Sequence, residues 1–190
     1  MCNPACIQFA ISHILRQDVA GKSVLEVGSC NVNGSFRDHI RYFAPASYLG
    51  VDAQPGPGVD QVCNAESLLE NFGPCSFDVV VSTEMLEHVN DWRKVITNLK
   101  QVLKPGGAVI LTTRSLGFPH HDFPRDYWRF ETHDMQAIFS DFHIQALMPD
   151  PSVPGVFVKA TRPDPYRETD LSRIALYSMS EQKRSLRRMG

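Results

Sequence analysis

The chain has 190 residues and a formal net charge of -2, enough for one α/β domain with a full core and too short for two. That balance excludes the strong positive field of a nucleic-acid binder or of a protein drawn to an anionic membrane. The five cysteines have no disulfide-scaffold or metal-cluster spacing. Cys2 and Cys6 form an isolated C-x3-C pair, so reduced thiols in a cytoplasmic setting are expected.

Ile7, Ala10, Ile11, Ile14 and Leu15 recur at helical spacing and predict an amphipathic lead-in helix over 5–17. Gln8, Ser12 and His13 interrupt its apolar character, and no cationic segment precedes it, so it reads as neither a secretory signal nor a membrane span. Strand one is expected from Ser23 to Val27, followed by a glycine-bearing turn and a helix marked by Phe36, Ile40 and Phe43. Strand two, Ser47 to Val51, ends against Asp52. Pro55-Gly56-Pro57-Gly58 predicts a turn, Val59 to Cys63 a short third strand, and Ala65 to Phe72 one or two helical turns. Phe77 to Ser82 is rich in β-branched residues and reads as a buried fourth strand.

Trp92, Val95, Ile96, Leu99, Val102 and Leu103 then follow at helical spacing, capped by Asn90 or Asp91 and stopped by Lys104-Pro105-Gly106-Gly107. Ala108 to Thr113 is strand five, 114–130 a long loop, and Thr132 the expected cap of a helix through Phe139. Phe142 to Leu147 and Gly155 to Ala160 are two strands joined only by a loop. From Arg167 the weak periodicity predicts a poorly packed helix or tail, and the run Lys183 to Arg188 reads as solvated. Alternating strands and helices that end in two consecutive strands predict a parallel sheet with an antiparallel edge.

Four motifs in order carry a resemblance. They are Leu25-Glu26-Val27-Gly28, Gly50-Val51-Asp52, the stretch Phe77 to Val89 with its Glu84-Met85-Leu86-Glu87-His88, and Leu103-Lys104-Pro105-Gly106-Gly107. With them, about residues 20–160 resemble the class I S-adenosylmethionine-dependent methyltransferases, type 11-like small-molecule branch. The resemblance implies a doubly wound, mostly parallel seven-stranded sheet with an antiparallel last strand, a Rossmann-like methyltransferase fold. It divides the chain into a lead-in helix (1–20), an S-adenosylmethionine-binding domain (21–162) and a C-terminal helix or tail (163–190).

The resemblance also implies S-adenosyl-L-methionine as cofactor. Glu26 would organise the first loop, and the backbone of Gly28, Ser29 and Gly34 would lie against the methionine part. Asp52, with Ala53 beside it, would hold the ribose diol; Asn64 and Ala65 would lie near the adenine; Ser82 and Glu84 would flank the methionine moiety. The first loop departs from the family's Gly-x-Gly-x-Gly pattern, with Cys30 at the second glycine position and the next glycine at Gly34. Cys30 reads as a small filler, and Ser35 or Arg37 is expected to reach toward the ligand.

The loop Gly117 to Phe130 leaves strand five at the sheet edge where ligands bind in open α/β sheets, and its histidines, arginines and aromatics read as a substrate lid. Arg125 and Arg129 suit an anionic substrate group, and Tyr127 and Trp128 a ring. His120 and His121, with His88 behind them, are the candidate general bases for a hydroxyl acceptor. Neighbouring side chains rarely aim at one ion, so His120, His121 and Asp122 are not read as a metal site.

The expected reaction is methyl transfer to an O or N atom of a small molecule, a sugar or other metabolite, with no nucleic-acid or membrane partner. A homo-oligomer or partner subunit stays open, because the chain has little structure of its own to cap a substrate. Two other readings remain at this point. A nicotinamide-dependent oxidoreductase would also use Asp52, but Gly-x-Gly-x-x-Gly is absent after strand one. A non-catalytic cofactor-binding or partner-docking domain would share the same fold.

Overall fold

The computed structural model describes residues 3–122 and 125–186. Cys2 of the cysteine pair, Phe123 and Pro124 of the long loop, and Arg187 and Arg188 of the basic run lie outside the described residues.

A seven-stranded sheet forms the centre, built from β1 (Ser23–Val27), β2 (Ser47–Asp52), β3 (Gln61–Val62), β4 (Phe77–Thr83), β5 (Leu103–Arg114), β7 (His143–Pro149) and β8 (Gly155–Thr161). Its order is β3-β2-β1-β4-β5-β8-β7. The first five are parallel to one another, while β8 runs antiparallel to both β5 and β7. The expected antiparallel last strand is therefore present, inserted beside β5 with β7 outside it. The chain leaves β1 toward β2 on one side and returns to β4 on the other. That reversal is the topological switch point, where a crevice opens at the carboxyl ends of the strands.

Side chains alternate through the sheet into two buried clusters. On one face Leu25, Val27, Val80, Val109 and Leu111 pack with Trp92, Val95, Ile96, Leu99 and Val102 of α5 (Trp92–Val102) and with Met135 and Ile138 of α6 (Thr132–Ile138). On the other, Val24, Val79, Val81 and Ile110 pack with Phe9 of α1 (Pro4–His13), Val19 of α2 (Arg16–Val19) and Phe36 and Ile40 at α3 (Arg37–Tyr42). Burying a large apolar side chain contributes on the order of 1.5–3 kcal/mol, so these faces lock the register that holds the strand tips level.

Local chemistry moved several boundaries. The single lead-in helix is two, because Ile14 and Leu15 are extended and Asp18 Oδ2 accepts from Leu15 N at 2.9 Å, starting α2 anew. Asp91 caps α5 by accepting from Lys94 N at 3.3 Å. The cap of α6 is Glu131 rather than Thr132, and Asp134 accepts from its amide at 2.8 Å. The 65–72 segment is a 3-10 turn, Ala65–Ser67, continued by α4 (Leu68–Phe72).

The larger correction is C-terminal. Instead of a helix or tail, β9 (Leu176–Ser178) and β10 (Lys183–Ser185) form an antiparallel hairpin that pairs with β6 (Trp128–Arg129) of the long loop. Arg184, expected in a solvated run, is ion-paired to the buried Asp134 of α6. Strands of two or three residues carry no period-two signature, and their partner lies about fifty residues earlier, so local pattern could not show them.

Candidate active site

The crevice at the switch point is a cavity of about 350 Å³, at the lower end of the range usual for small-molecule sites. Its wall is assembled from the tips of β1, β2 and β4, the turns that follow them, and His121 and Tyr127 from the loop after β5.

At the β1–β2 end, Asp52 has its two oxygens set by backbone donors, Oδ2 by Cys30 N at 3.1 Å and Oδ1 by Gln54 N at 3.2 Å. Its β2 position makes it the first carboxylate on the crevice floor, with Ala53, Asn64 and Ala65 beside it. Asn64 Oδ1 accepts from Glu66 N at 2.9 Å. The turn after β1 must pass close to Met85. Gly28 has φ 79°, and a Cβ there would lie 2.8 Å from Met85 Cβ and Cγ. Its amide and that of Ser29 donate to Val51 O at 2.9 and 3.0 Å, and Gly34 N donates to Asn31 Oδ1 at 2.9 Å. At Gly28 the turn therefore offers close backbone approach.

Glu26 lies behind the wall. It is buried and accepts from Ser35 Oγ at 2.9 Å and Tyr48 Oη at 2.8 Å, with Arg37 Nε at 3.7 Å. Burial raises its pKa despite these donors. Ser35 and Arg37 consequently face Glu26 and Asp60, not the cavity: Arg37 makes a two-pronged pair with Asp60 at 3.1 and 2.9 Å. Ser29 and Ser82, expected at the ligand, are buried inside the fold and off the cavity wall. Gly28, Gly34, Asp52, Ala53, Asn64, Ala65 and Glu84 do line it.

Among the residues expected at the acceptor end, His88, His121 and Tyr127 line the cavity, whereas His120, Arg125, Trp128 and Arg129 do not. The His120 side chain is 56% exposed and lies 3.1 Å from Asp122. Arg125 is exposed, and its carbonyl oxygen is the partner of His88 Nδ1 at 2.6 Å. Trp128 is buried, its Nε1 donating to Val89 O and Asn90 O at 3.0 and 3.2 Å. Arg129 is wholly buried against Asp126. Both β6 side chains were expected on substrate; each is instead buried and hydrogen-bonded within the protein, on a strand that pairs with β9.

Three groups converge where the loop meets the turn after β4. Glu87, fully buried, accepts from Thr113 Oγ1 at 2.8 Å through Oε2, leaving Oε1 without a hydrogen-bond partner. His88 Nε2 lies 3.8 Å and His121 Nε2 4.0 Å from that Oε1, and the two rings meet edge-on at 4.8 Å. His121 Nδ1 faces Asp126 Oδ2 at 3.3 Å. Burial, then the neighbouring His88, lowers the His121 pKa and keeps it neutral near pH 7. Burial and then Glu87 push the Glu84 carboxyl well above its usual range, although Arg114 sits against it. Glu87 was missed from sequence; the signal was present in Glu87-His88 with a second histidine on the following loop, but their meeting depends on the tertiary fold.

A crevice at the switch point of a doubly wound sheet, with a fixed carboxylate on the second strand, defines a Rossmann-like nucleoside-binding domain. Residues 7–150 match the family described as "Methyltransferase domain", and the chain belongs to that family. It is 32% identical over 124 residues to the ubiquinone biosynthesis O-methyltransferase of Idiomarina loihiensis, covering 58% of this chain and 49% of that protein. The chain thus spans about half the length of the curated relatives it matches. The fold is shared with the Burkholderia thailandensis 1,6-didemethyltoxoflavin-N1-methyltransferase crystallised with S-adenosylhomocysteine (TM-score 0.67, 15% identity, covering 85% of this chain and 80% of that one). It is shared also with the [4+2]-cyclase SpnF (TM-score 0.62, 14% identity, 82% and 78%), so the fold alone does not fix the chemistry. No helix among the described residues is long and apolar enough to cross a membrane.

Proposed function

We propose that the chain binds S-adenosyl-L-methionine in the switch-point cavity and methylates a hydroxyl of a small molecule. The observation that carries this reading is the two-ended cavity: an oriented carboxylate, Asp52, at one end and paired imidazoles, His88 and His121, at the other. The residues suit the cofactor. Asp52 would accept from the ribose hydroxyls, Asn64 and Ala65 would border the adenine, and the close-packed Gly28 turn would lie along the methionine chain. When bound, the cofactor supplies a methyl group already activated on a sulfonium, which leaves the protein to position and to deprotonate.

Strand spacing separates the ends. Asp52 belongs to β2 and the His121 loop follows β5, three strands away in the sheet order, or about 14 Å at roughly 4.8 Å per strand. An acceptor entering beside Tyr127 would therefore meet the histidine end and not the ribose end. Alignment of this kind can supply on the order of 7–11 kcal/mol of barrier lowering. The acceptor's proton would be lost at the His88–His121 end of the cavity. The O-methyltransferase name of the relatives supports oxygen over nitrogen as acceptor. Methyl-labelled cofactor incubated with matched hydroxyl and amine acceptors tests the reading by mass spectrometry. Label on oxygen is expected; label on nitrogen alone refutes the acceptor choice, and cofactor binding without transfer to any acceptor favours a docking domain.

A further inference from the structure

We propose that Glu87, His88 and His121 hold a divalent transition-metal cation whose open coordination positions face the cavity. Each offers one ligand atom, and these atoms lie within 4.8 Å of one another. Tetrahedral ligation at bonds of about 2.0–2.1 Å requires ligand atoms about 3.3 Å apart. The observed separations are 3.8 and 4.0 Å from Glu87 to the two histidines and at most 4.8 Å overall, so the three ligand atoms must draw together by about 0.5–1.5 Å.

The outer contacts support a ligand set more strongly than a packing cluster. His88 Nδ1 faces the Arg125 carbonyl at 2.6 Å, which makes that nitrogen the proton-bearing one and leaves Nε2 a lone pair. Among the described residues neither ring nitrogen of His121 has a hydrogen-bond partner, and its Nδ1 lies 3.3 Å from Asp126 Oδ2. Glu87 spends Oε2 on Thr113 and keeps the buried Oε1 unpartnered, turned toward both Nε2 atoms. A carbonyl behind His88 and a hydroxyl behind Glu87 are outer contacts of the kind that fix ligand tautomer and orientation in metal sites. A buried carboxylate oxygen without a donor costs free energy that a cation would offset. Two imidazoles and one carboxylate suit Zn²⁺, Co²⁺, Mn²⁺ or Fe²⁺ rather than Mg²⁺ or Ca²⁺.

The role rests on the proposed function. His88 and His121 line the same cavity as Tyr127, so an acceptor hydroxyl can complete the coordination. Bound to the cation, that oxygen is acidified, as metal-bound water is from about 15.7 to about 7; it releases its proton to solvent and becomes the nucleophile. The histidines then act as ligands, not as bases.

Metal-stripped protein is dialysed against Co²⁺ alone, and bound metal is read by mass spectrometry and by the visible d–d band. One tightly held equivalent is expected. Glu87→Gln and His121→Asn should each weaken binding by about 100-fold or more, and Thr113→Val by about 10–100-fold, with circular dichroism confirming that each variant is folded. No bound equivalent in the wild type, or binding undiminished in folded Glu87→Gln and His121→Asn, overturns the site. Adenosylhomocysteine binding to the metal-stripped wild type is measured in parallel. Its retention without cobalt binding defeats the metal site alone; its absence with cobalt bound defeats the cofactor reading alone.

Discussion

Replacing Arg129 with methionine separates a structural arginine from a substrate-binding one. The guanidinium is wholly buried, donates to both Asp126 oxygens, and also reaches the carbonyls of Trp128, Phe118 and Pro119 at 2.9, 3.3 and 3.2 Å. Methionine fills much of the volume but leaves the Asp126 carboxylate buried without its cationic partner, with the His121 amide still donating to it at 3.0 Å. Breaking a buried pair from one side costs about 3–5 kcal/mol. For a chain of this size each kcal/mol moves Tm by about 2–4 °C, so the melting point should fall by about 6–20 °C. The double variant Asp126→Leu/Arg129→Met removes both charges and should recover part of that loss, because the stranded anion is gone. Scanning calorimetry on the wild type, both singles and the double measures it. An unchanged Tm in Arg129→Met, together with a raised KM for the acceptor, would refute the structural assignment and restore a substrate role.

Other perturbations test the remaining contacts. Asp52→Asn keeps the shape but removes a charge-assisted acceptor worth about 1.5–3 kcal/mol, so the Kd for adenosylhomocysteine should rise about 10- to 150-fold by calorimetry; an unchanged Kd would place the ribose elsewhere. Gly28→Ala forces a Cβ to within 2.8 Å of Met85 at a positive φ, and combined strain of about 2–4 kcal/mol should lower Tm and weaken the same ligand; a neutral variant would show the turn is looser than described. Asp78 reports on acid stability. Burial raises its pKa, but hydrogen bonds from Ser23 and Lys104 outweigh that and hold it at about 2. A carboxyl depressed in the folded state stabilises above its ordinary pKa near 3.8, and that stabilisation is lost as pH falls toward 2. After allowance for screening, Asp78→Asn should remove about 1 kcal/mol at pH 7 and flatten the acid limb of the denaturation profile between pH 4 and about 2. A profile unchanged by the substitution would contradict the assignment.

The central sheet was legible because buried parallel strands announce themselves as apolar runs, as Val24 to Val27 and Phe77 to Val81 do, and because Trp92 to Val102 keeps one apolar stripe. Asp52, Asn64 and Glu84, which the family resemblance assigned to the cofactor, do line the crevice. What failed was direction inside the long loop. Arg129 and Trp128 carry functional-looking chemistry, yet Arg129 is consumed by the buried Asp126 and Trp128 by the carbonyls of Val89 and Asn90. The first-loop residues failed similarly: Ser35 and Arg37 point to Glu26 and Asp60, partners made adjacent by β1–β2 register rather than by sequence spacing. The triad of Glu87, His88 and His121 needed both the turn after β4 and the folded loop, and only the three-dimensional arrangement joins them.

Calorimetric titration of the folded protein with adenosylhomocysteine, with NAD as control, addresses the whole account at once. Saturable binding at one site is expected, with a Tm rise of about 5–11 °C at a hundredfold excess over Kd, since such linkage contributes about 2.7 kcal/mol. No heat and no Tm change with adenosylhomocysteine, alongside saturable binding of NAD, would contradict it.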